Sequence, residues 1–453
     1  MKSFKKILFV LFVACSISSF TGSRNSRLTV TTTTSHDSLL TAVQRQTFQY
    51  FWKGAEPNSG MARERINVDG IYPQNDQDVV TTGGSGFGIM AILTAMHRHF
   101  ITRQEGRQRL EKIVGFLEKA DRFHGAWPHW MYGETGKVKP FGKKDDGGDI
   151  VETAFMIQGL LCARQYFING TSAEKKLSQR IDHLWKQVDW NWYRNGKNVL
   201  YWHWSPDYDW QMNFPIHGYN ECLVAYILAA SSPTHGVPAS VYHEGWAENG
   251  KIKDSSTHFG YTLQLHHQGA PNGGPLFWAH YSYLGLDPHG LKDEYANYWK
   301  ENTNQVLINY TWCVENPLHY QGYSSHNWGL TASYSVNGYS AHAPSEDRDL
   351  GVISPTAAIS SIVYTPEKSI AAMENWMDNM KDSLWGPYGF YDAFSESADW
   401  FPKKYLAIDQ GPEVVMIENY RSGMLWKLFM SCPEIKAGLL KLGFQSPFLK
   451  EQK

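Results

Sequence analysis

Cysteine is scarce in this sequence: five residues occur in a chain of 453, and the four beyond residue 15 lie far apart. This spacing excludes a small scaffold stabilised by a dense disulfide framework. Three of the four fall inside helical patterns, which predicts buried free thiols, while one disulfide in an oxidising compartment is also consistent with the sequence. The four cysteines are Cys162, Cys222, Cys313 and Cys432.

An excess of charge of either sign is also absent. Lys and Arg together number 42 against 44 Asp and Glu, so the formal net charge is −2. A nucleic-acid partner therefore has no electrostatic support, and we expect none. No feature of the sequence indicates an oligomer, so a monomer is the default expectation.

Long apolar runs are missing beyond the N-terminus, and no membrane helix is predicted there. The N-terminus itself, a basic start followed by the apolar run 7–14, is typical of a secretory signal peptide over residues 1–15. Lipid attachment at Cys15 and ordinary cleavage nearby are both consistent with it. Residues 16–36, rich in Ser and Thr, predict a flexible tether. We expect export to the periplasm or the outer membrane of a Gram-negative bacterium, with membrane contact only through a lipid anchor.

Motifs of several enzyme classes are missing as well. The glycine-rich stretch 83–88 has no Walker lysine after it and no strand-turn-helix unit around it, so close helix packing explains it better than phosphate binding. No Gly-x-Ser-x-Gly elbow occurs, and the histidines lack the spacing of zinc peptidases. We therefore predict no cofactor and no metal site, with a cation at the acidic loop 144–152 left as an open alternative.

Helical periodicity is what the sequence does contain, in about twelve segments. They are expected near residues 38–53, 86–101, 104–121, 149–167, 172–188, 219–230, 238–247, 276–285, 292–314, 355–363, 366–382 and 412–430. Long loops follow the odd-numbered segments and short turns follow most even-numbered ones. The odd segments are amphipathic, whereas the even ones are apolar nearly all round.

This alternation predicts one all-α catalytic domain over residues 37–453. Helical hairpins would form an (α/α)6 barrel with an inner and an outer ring, and a few short strands would lie in the loops. The long loops would then gather on one face, at the N-termini of the inner helices. The alternative is an open α-solenoid, which has short loops on both faces and a clearer sequence repeat.

Aromatic residues are abundant, with 18 Trp, 25 Tyr and 22 Phe. Many lie in stretches that look like loops, such as 127–130 and 201–204. Flat rings with polar edges suit the apolar faces and the hydroxyl groups of sugars. Core packing explains any single ring equally well, but their clustering in loops favours a carbohydrate-binding groove.

Carboxylates recur at the predicted starts of three inner helices. Asp149 and Glu152 share one face of the fourth helix, Glu221 falls in the first turn of the sixth, and Asp409 and Glu413 flank the start of the twelfth. Acidic residues also cap helices, a stabilisation of up to about 1 kcal/mol each, so each one alone could be structural. Their convergence on one aromatic-rich mouth favours glycosidic cleavage, which needs a pair of carboxyl groups.

Four stretches together resemble the glucoamylase-like proteins of glycoside hydrolase family 144, which are β-1,2-glucanases. They are residues 78–88, 145–153, 218–221 and 409–412, and the similarity covers essentially the whole chain after the tether. The resemblance implies an (α/α)6 barrel, a negatively charged central groove, no required cofactor and an inverting mechanism.

The acidic positions that match the family are Asp145, Asp149, Glu152, Glu221 and Asp409. From this resemblance we expect Glu221 to be the general acid and Asp409 the general base. The remaining acids, with Glu413 added, would bind sugar hydroxyls or order the attacking water. Candidate groove residues are Trp127, Trp130, Tyr219, Asn220, Trp278, His326, Trp328, Arg348 and Trp400.

The expected function is hydrolysis of a β-glucan, with β-1,2-glucan or its oligosaccharides as the first choice. One alternative is a glucoamylase-type hydrolase of α-glucans, which would use the same barrel and two carboxylates. A polysaccharide lyase would need a basic groove for uronic acids, and the loop motifs here are acidic. A non-catalytic glycan-binding protein of a polysaccharide-uptake system would explain the aromatic residues alone.

Overall fold

The computed structural model describes residues 32–449. The predicted signal peptide, Cys15 and most of the predicted tether lie outside the described residues. Helix α1 begins at Thr32, so the last residues of the predicted tether, 32–36, are helical. None of the helices in the described part combines the length and the apolarity that a bilayer crossing requires.

Helices dominate the described part of the chain. The α-helices are α1 (Thr32–Trp52), α2 (Thr82–His97), α3 (Arg103–Leu117), α4 (Ile150–Phe167), α5 (Ser172–Lys186), α6 (Leu223–Ser231), α7 (Tyr298–Glu315), α8 (Pro355–Ser360), α9 (Pro366–Asn379), α10 (Lys381–Leu384), α11 (Ala407–Ser422), α12 (Met424–Met430) and α13 (Pro433–Lys441). A π-helix spans Val241–Trp246, and 3-10 turns span Trp192–Arg194, Glu248–Gly250, Pro271–Gly273, Leu276–Ala279, Tyr281–Leu284 and Pro447–Leu449.

The strands are short and lie in the connections. They are β1 (Arg65–Asn67), β2 (Val79–Thr81), β3 (Trp130–Tyr132), β4 (Val138–Lys139), β5 (Gly148–Asp149), β6 (His203–Trp204), β7 (Thr257–His258), β8 (Tyr261–Thr262), β9 (Ala332–Ser335), β10 (Gly338–Ala341), β11 (Trp385–Gly386), β12 (Gly389–Phe390) and β13 (Lys404–Leu406). All pair antiparallel, in the orders β1–β13, β2–β3–β4, β5–β6, β7–β8, β9–β10 and β11–β12.

Two concentric rings of helical segments form the (α/α)6 barrel that the sequence predicts. The inner ring consists of α2, α4, α6, the two consecutive 3-10 turns at 276–284, α8 and α11, and it closes where α11 packs against α2. The outer ring consists of α1, α3, α5, the π-helix, α7 and α9, each packed on an inner neighbour. Beyond the ring, α12 packs on α4 and α13 packs on α6.

The two rings differ in burial, as their sequence patterns predict. On the inner helix α2 every residue from Thr82 to Met96 is buried. On the outer helix α5 the buried apolar side chains are Leu177, Ile181, Leu184 and Trp185, which form one stripe. Thr171 and Glu174 form the predicted capping box at the start of α5.

Glycines allow α2 and α4 to approach closely. A Cβ atom on Gly86 would lie 2.3 Å from the carbonyl oxygen of Phe155, and one on Gly159 would lie 2.1 Å from that of Gly86. Either contact is far shorter than a van der Waals distance. The prediction that the glycine-rich stretch serves helix packing is confirmed.

Several helix boundaries differ from the predicted ones. The segments predicted at 238–247 and 276–285 are a π-helix and 3-10 turns rather than α-helices. Helix α11 begins at Ala407, so Asp409 lies in its first turn and Pro412 lies inside it. It ends where Gly423 adopts a φ of 65°, and α12 continues from there. The four cysteines beyond residue 15 are buried and free, as predicted.

Short strands fix the loops at one end of the barrel. Strands β2, β5 and β13 directly precede the inner helices α2, α4 and α11. Their partners β3, β6 and β1 come from the long loops. The long loops are therefore tied to the N-terminal ends of the inner helices, where function was expected.

Candidate active site

A cavity of about 320 Å³ opens at the N-terminal ends of the inner helices. Its acidic lining residues are Glu64, Glu152 and Glu221, and its aromatic lining residues are Trp130, Phe141, Phe155, Trp202, Phe277, Tyr281, Tyr334 and Tyr339. His129 and Arg65 also line it. The cavity therefore combines flat apolar walls with carboxyl groups, as a sugar-cleaving site requires.

Glu221 places a carboxyl group in this cavity immediately before α6. The side-chain oxygen of Asn220 accepts a hydrogen bond from the Cys222 amide (2.8 Å), so a turn rather than helix surrounds Glu221. The prediction that Glu221 lies in the first turn of the helix is therefore corrected. Burial, together with the charges of Glu152 and Asp149, raises the pKa of Glu221 to about 7. A carboxyl group with this pKa holds a proton near neutral pH.

Asp149 lies behind the cavity as the N-cap of α4. Its Oδ1 accepts hydrogen bonds from the amides of Val151 (2.9 Å) and Glu152 (2.8 Å). Its Oδ2 lies 3.0 Å from Nδ1 of His129 and accepts a hydrogen bond from Nε1 of Trp202 (3.1 Å). Burial alone would raise the pKa of Asp149, but these partners and nearby histidine charges lower it. Asp149 is an ionised anchor for two residues of the cavity wall.

Glu152 faces the cavity from the first turn of α4. Its Oε2 accepts a hydrogen bond from the Gly83 amide (2.6 Å) at the N-terminus of α2. Burial raises the pKa of Glu152 to about 7, although the charge of His129 opposes the shift. For His129 burial alone would lower the pKa, but Glu152 and Asp149 raise it to about 9. His129 is therefore a cation between two carboxyl groups.

His129, Asp145 and Asp149 are the group among the described residues that could hold a metal ion, since their ligand atoms lie within 4.8 Å of one another. Both oxygens of Asp149 already accept hydrogen bonds from protein donors. Asp145 lies 3.2 Å from Nε2 of His203. The arrangement fits a network of carboxylates and histidines, and we assign no metal to it.

Asp409 lies behind the cavity wall and does not line it. Its Oδ1 accepts a hydrogen bond from the hydroxyl group of Tyr281 (3.0 Å), whose ring forms part of the wall. Burial raises the pKa of Asp409 well above its usual range, and the neighbouring Asp392 raises it further. Tyr281 therefore links Asp409 to the cavity wall.

Several predicted groove residues are packing residues instead. Trp127 and Trp328 are fully buried, and their indole NH groups donate to the backbone oxygens of Leu117 and Lys368. Tyr219 is also buried, with its hydroxyl group bonded to Asn302.

Other predicted site residues also lie outside the cavity. Glu413 is buried and accepts a hydrogen bond from Thr47 (2.9 Å), so its predicted supporting role in the site is corrected. Among the remaining candidates, Trp130 lines the cavity. Four other candidates do not line the cavity. Trp278 packs on His267, and Trp400 pairs with Ser395. His326 and Arg348 are exposed elsewhere.

Exposed aromatic rings surround the mouth of the cavity. Phe141 is 52 % exposed and Tyr339 is 56 % exposed. Phe214, 50 % exposed, stacks on Trp202 with ring centroids 5.3 Å apart. Trp202 also lines a second hollow of about 310 Å³, which includes Asn220. The aromatic surface therefore continues from the cavity into a longer cleft.

Sequence reasoning missed several residues of this site. His129 and Trp202 lie inside the aromatic stretches 127–130 and 201–204, so their neighbourhood was a usable signal. Tyr281 and Asp392 carried no comparable signal, because neither belongs to a motif or to the start of a predicted inner helix.

Comparisons with known proteins identify two family matches and several similar structures. A family described as "Putative glucoamylase" matches residues 213–433, and one described as "Protein of unknown function (DUF3131)" matches residues 42–188. The structure of an endo-β-1,2-glucanase from Chitinophaga pinensis, in complex with sophorotriose and glucose, is 70 % identical. It covers 91 % of this chain and 99 % of its own, with a TM-score of 0.91.

Two further relatives extend the comparison. An exo-β-1,2-glucooligosaccharide sophorohydrolase from Parabacteroides distasonis is 46 % identical over 441 residues, or 92 % of this chain. The chain spans only 60 % of the length of that relative. An endo-β-1,2-glucanase from Talaromyces funiculosus, in complex with sophorose, is 11 % identical, covers 86 % of this chain and 85 % of its own, and has a TM-score of 0.63, so it shares the fold alone.

The barrel and its acidic, aromatic cavity define a protein of the glycoside hydrolase class. The Chitinophaga enzyme matches the chain closely and nearly end to end. The chain belongs to the glucoamylase-like family that its sequence resembles, glycoside hydrolase family 144.

Proposed function

We propose that this protein hydrolyses β-1,2-glucan or its oligosaccharides by an inverting mechanism with two acidic functions. The observation that carries the proposal is the buried carboxyl group of Glu221, with a pKa of about 7, in an aromatic cavity. The relatives described above support the choice of substrate, because both bacterial enzymes act on β-1,2-linked glucans.

Glu221 is the proposed general acid. It lies in the cavity wall and is protonated near neutral pH, so it can donate a proton to the glycosidic oxygen as the bond breaks. Trp130 and Trp202 offer flat faces on which sugar rings can stack. Ionised Asp149 adds negative charge that stabilises a transition state of oxocarbenium character.

Asp409 is the proposed general base, and it acts through the hydroxyl group of Tyr281. An inverting enzyme needs room for a water molecule between the base and the sugar, with its carboxyl groups roughly 6.5–9.5 Å apart. The position of Asp409 behind Tyr281 supports this assignment. We therefore expect the first product to have the anomeric configuration opposite to that of the substrate.

The signal-like N-terminus supports a further proposal about location. We place the protein in the periplasm or at the outer membrane, as a monomer whose residues 37–453 form one catalytic domain. Metabolic labelling with a radioactive fatty acid, with Cys15→Ser as the control, tests the lipid anchor. Label on the unaltered chain that is lost with Cys15→Ser supports an anchor, and no label on either chain contradicts it.

The decisive experiment is incubation of the purified protein with linear β-1,2-glucan, other β-glucans and α-glucans. The variants are Glu221→Gln and Asp409→Asn, and Glu413→Gln is the matched control. Glu413 is buried outside the cavity, and burial raises its pKa to about 8, so a neutral amide changes its charge little. We expect short β-1,2-linked products from the unaltered protein and from Glu413→Gln, with both other variants at least about 100-fold slower.

Other results would favour the alternatives. Products from α-glucans alone would indicate a glucoamylase-type enzyme. Binding without product from any glucan, retained in Glu221→Gln, would indicate a glycan-binding protein. An active Glu221→Gln variant would keep the family and overturn the choice of acid.

A further inference from the structure

We propose that Asp392 shares a proton with Asp409, so that two carboxyl groups together accept the proton of the attacking water. This inference rests on the proposed function, because it specifies what the general base consists of. Asp392 is a positioning residue in this scheme, since it contacts Asp409 and not the cavity.

The hydrogen bonds of the two side chains fix how the carboxyl groups face each other. Asp409 and Asp392 are 3 % and 1 % exposed. Oδ1 of Asp409 accepts the hydrogen bond from Tyr281, and Oδ2 of Asp392 accepts one from the Tyr334 amide (2.9 Å). Oδ2 of Asp409 and Oδ1 of Asp392 are buried and accept a hydrogen bond from no protein donor. The two carboxyl groups interact directly and each affects the pKa of the other, so we infer that these two oxygens share a hydrogen bond.

Such a hydrogen bond requires a proton, because two ionised carboxylates have no donor between them. Their mutual repulsion in a buried site also disfavours a double negative charge, as in other paired carboxyl groups. Near neutral pH the pair therefore holds one proton and one negative charge. Tyr281 and the Tyr334 amide hold the outer oxygens in place.

Among residues 32–449, the ionisable groups that interact with the pair supply no positive charge that relieves this repulsion. Glu64 lies near Asp392, and Glu413 lies near Asp409 but stays mostly protonated near neutral pH, because burial raises its pKa to about 8. His280 shares a small cavity with Asp409, and burial lowers its pKa to about 3, so it is neutral. The hydroxyl group of Tyr281 donates to Asp409 and keeps its proton near neutral pH, because burial raises its pKa.

The singly charged pair can act as a base. As the water attacks, its proton passes to the oxygen of Tyr281 while the phenolic proton of Tyr281 passes to Asp409. The pair then holds two protons and no charge, and it returns one proton to solvent after the product leaves. Burial raises the pKa values of both carboxyl groups, so a pair with one negative charge has the affinity for a second proton that a general base needs.

Asp392→Asn gives a test in which the geometry fixes the outcome. The Asn oxygen replaces Oδ2 as acceptor for the Tyr334 amide, so its NH₂ group must face Oδ2 of Asp409. This donor stabilises ionised Asp409, and the acidic limb of the kcat/KM profile on a β-1,2-linked oligosaccharide should move to lower pH by about one unit. Asp392→Leu removes both the donor and the acceptor, so the limb should move to higher pH instead.

Glu413→Gln is the control, since Glu413 is a buried carboxyl group on the same helix that keeps its proton below about pH 8, so the amide changes no charge at the acidic limb. Its acidic limb should stay within about 0.3 units of the unaltered profile. A purely structural role for Asp392 would lower activity at every pH without moving the limb. An unmoved limb in both Asp392 variants that remain folded would overturn the proposal.

Infrared difference spectroscopy detects the shared proton independently of glucan cleavage. At pH 7 the unaltered protein should show a carbonyl stretching band of a protonated carboxyl group that is lost in both Asp392→Asn and Asp409→Asn. This band in a protein that cleaves no glucan would support the shared proton and refute the proposed function. Glucan cleavage by a protein without the band would support the proposed function and refute the shared proton.

Discussion

The carboxyl group of Glu221 lies where its ionised form is disfavoured by burial among aromatic rings. The same burial that prepares a general acid also makes the folded state less stable once the group ionises. Active sites commonly reduce stability in this way, because a group is held in a state that the free chain would not adopt.

The stability cost at Glu221 has a definite pH dependence. Its pKa rises from 4.5 to about 7 on folding, so the folded state binds more protons and its stability falls between those pH values. Glu221→Gln removes this contribution and should be more stable than the unaltered protein by about 2 kcal/mol at pH 8, with little difference at pH 4.5. Urea unfolding at both pH values measures it, and equal differences at the two values would contradict it.

His129 stabilises the folded state at low pH, and this stabilisation is lost as the pH rises. Its pKa of about 9 lies above the usual 6.5, so its contribution is complete below pH 6.5 and is lost as the pH rises through 9. His129→Gln should lower the free energy of unfolding by about 1–2 kcal/mol at pH 6.5, because Asp149 and Glu152 lose their cation.

The loss from His129→Gln should shrink by pH 9.5, where the histidine is neutral. Its control is His97→Gln, because the side chain of His97 is 44 % exposed and lies 3.7 Å from Glu418. Urea unfolding at pH 6.5 and 9.5 measures both variants, and a similar loss in the control would contradict the explanation.

At the scale of elements, the contact between α2 and α4 depends on the absence of side chains. Gly86→Ala would place a Cβ atom 2.3 Å from a backbone oxygen of α4, and backbone cannot move aside as a flexible side chain can. We expect a loss of about 2–4 kcal/mol and a lower melting temperature, because α2 and α4 would have to separate.

Gly115→Ala is the matched control for this helix contact. Gly115 lies on the outer helix α3, where a Cβ atom would meet only the end of the Arg180 side chain at 3.3 Å. Alanine should therefore stabilise α3 by about 0.5–1 kcal/mol. Calorimetry of both variants measures the effects, and a gain in both would refute the role assigned to Gly86.

Element boundaries also show where local pattern fails. The sequence around Pro412 indicates a helix start, because proline is favoured in a first turn. In the structure α11 begins earlier, at Ala407, since β13 ends at Leu406 and pairs with β1. Strand pairing between residues more than 300 positions apart sets this boundary, and no local pattern records it.

At the scale of the whole molecule, the barrel closes between its first and last helices. Helix α11 packs against α1, α2 and α8, so the two ends of the described chain share one core. The two family matches, 42–188 and 213–433, therefore cover different helices of this one ring.

Closure predicts how the protein unfolds. Residues 37–453 should unfold in one transition, and the segments 42–188 and 213–433 expressed separately should lack stable tertiary structure. The first contains only α2 and α4 of the inner ring, and the second lacks these two helices, so each exposes surfaces that the ring buries. Near-ultraviolet circular dichroism of the segments and of the whole protein, followed during heating, measures this. A folded segment or two separate transitions would contradict a single domain.

The sequence by itself determined the number and alternation of the helical segments. The reason is that the spacing of apolar residues within a segment shows whether a helix is buried on one face or on all sides. It also determined which acidic residues stand at inner-helix starts and, through its motifs, the family. Only the tertiary structure decided which of them face the cavity. Glu152 and Glu221 face the cavity. Asp409 lies behind Tyr281, and Glu413 is buried outside the cavity beside Thr47. The pairing of Asp392 with Asp409 joins a loop to a helix through long-range packing, which periodicity cannot encode.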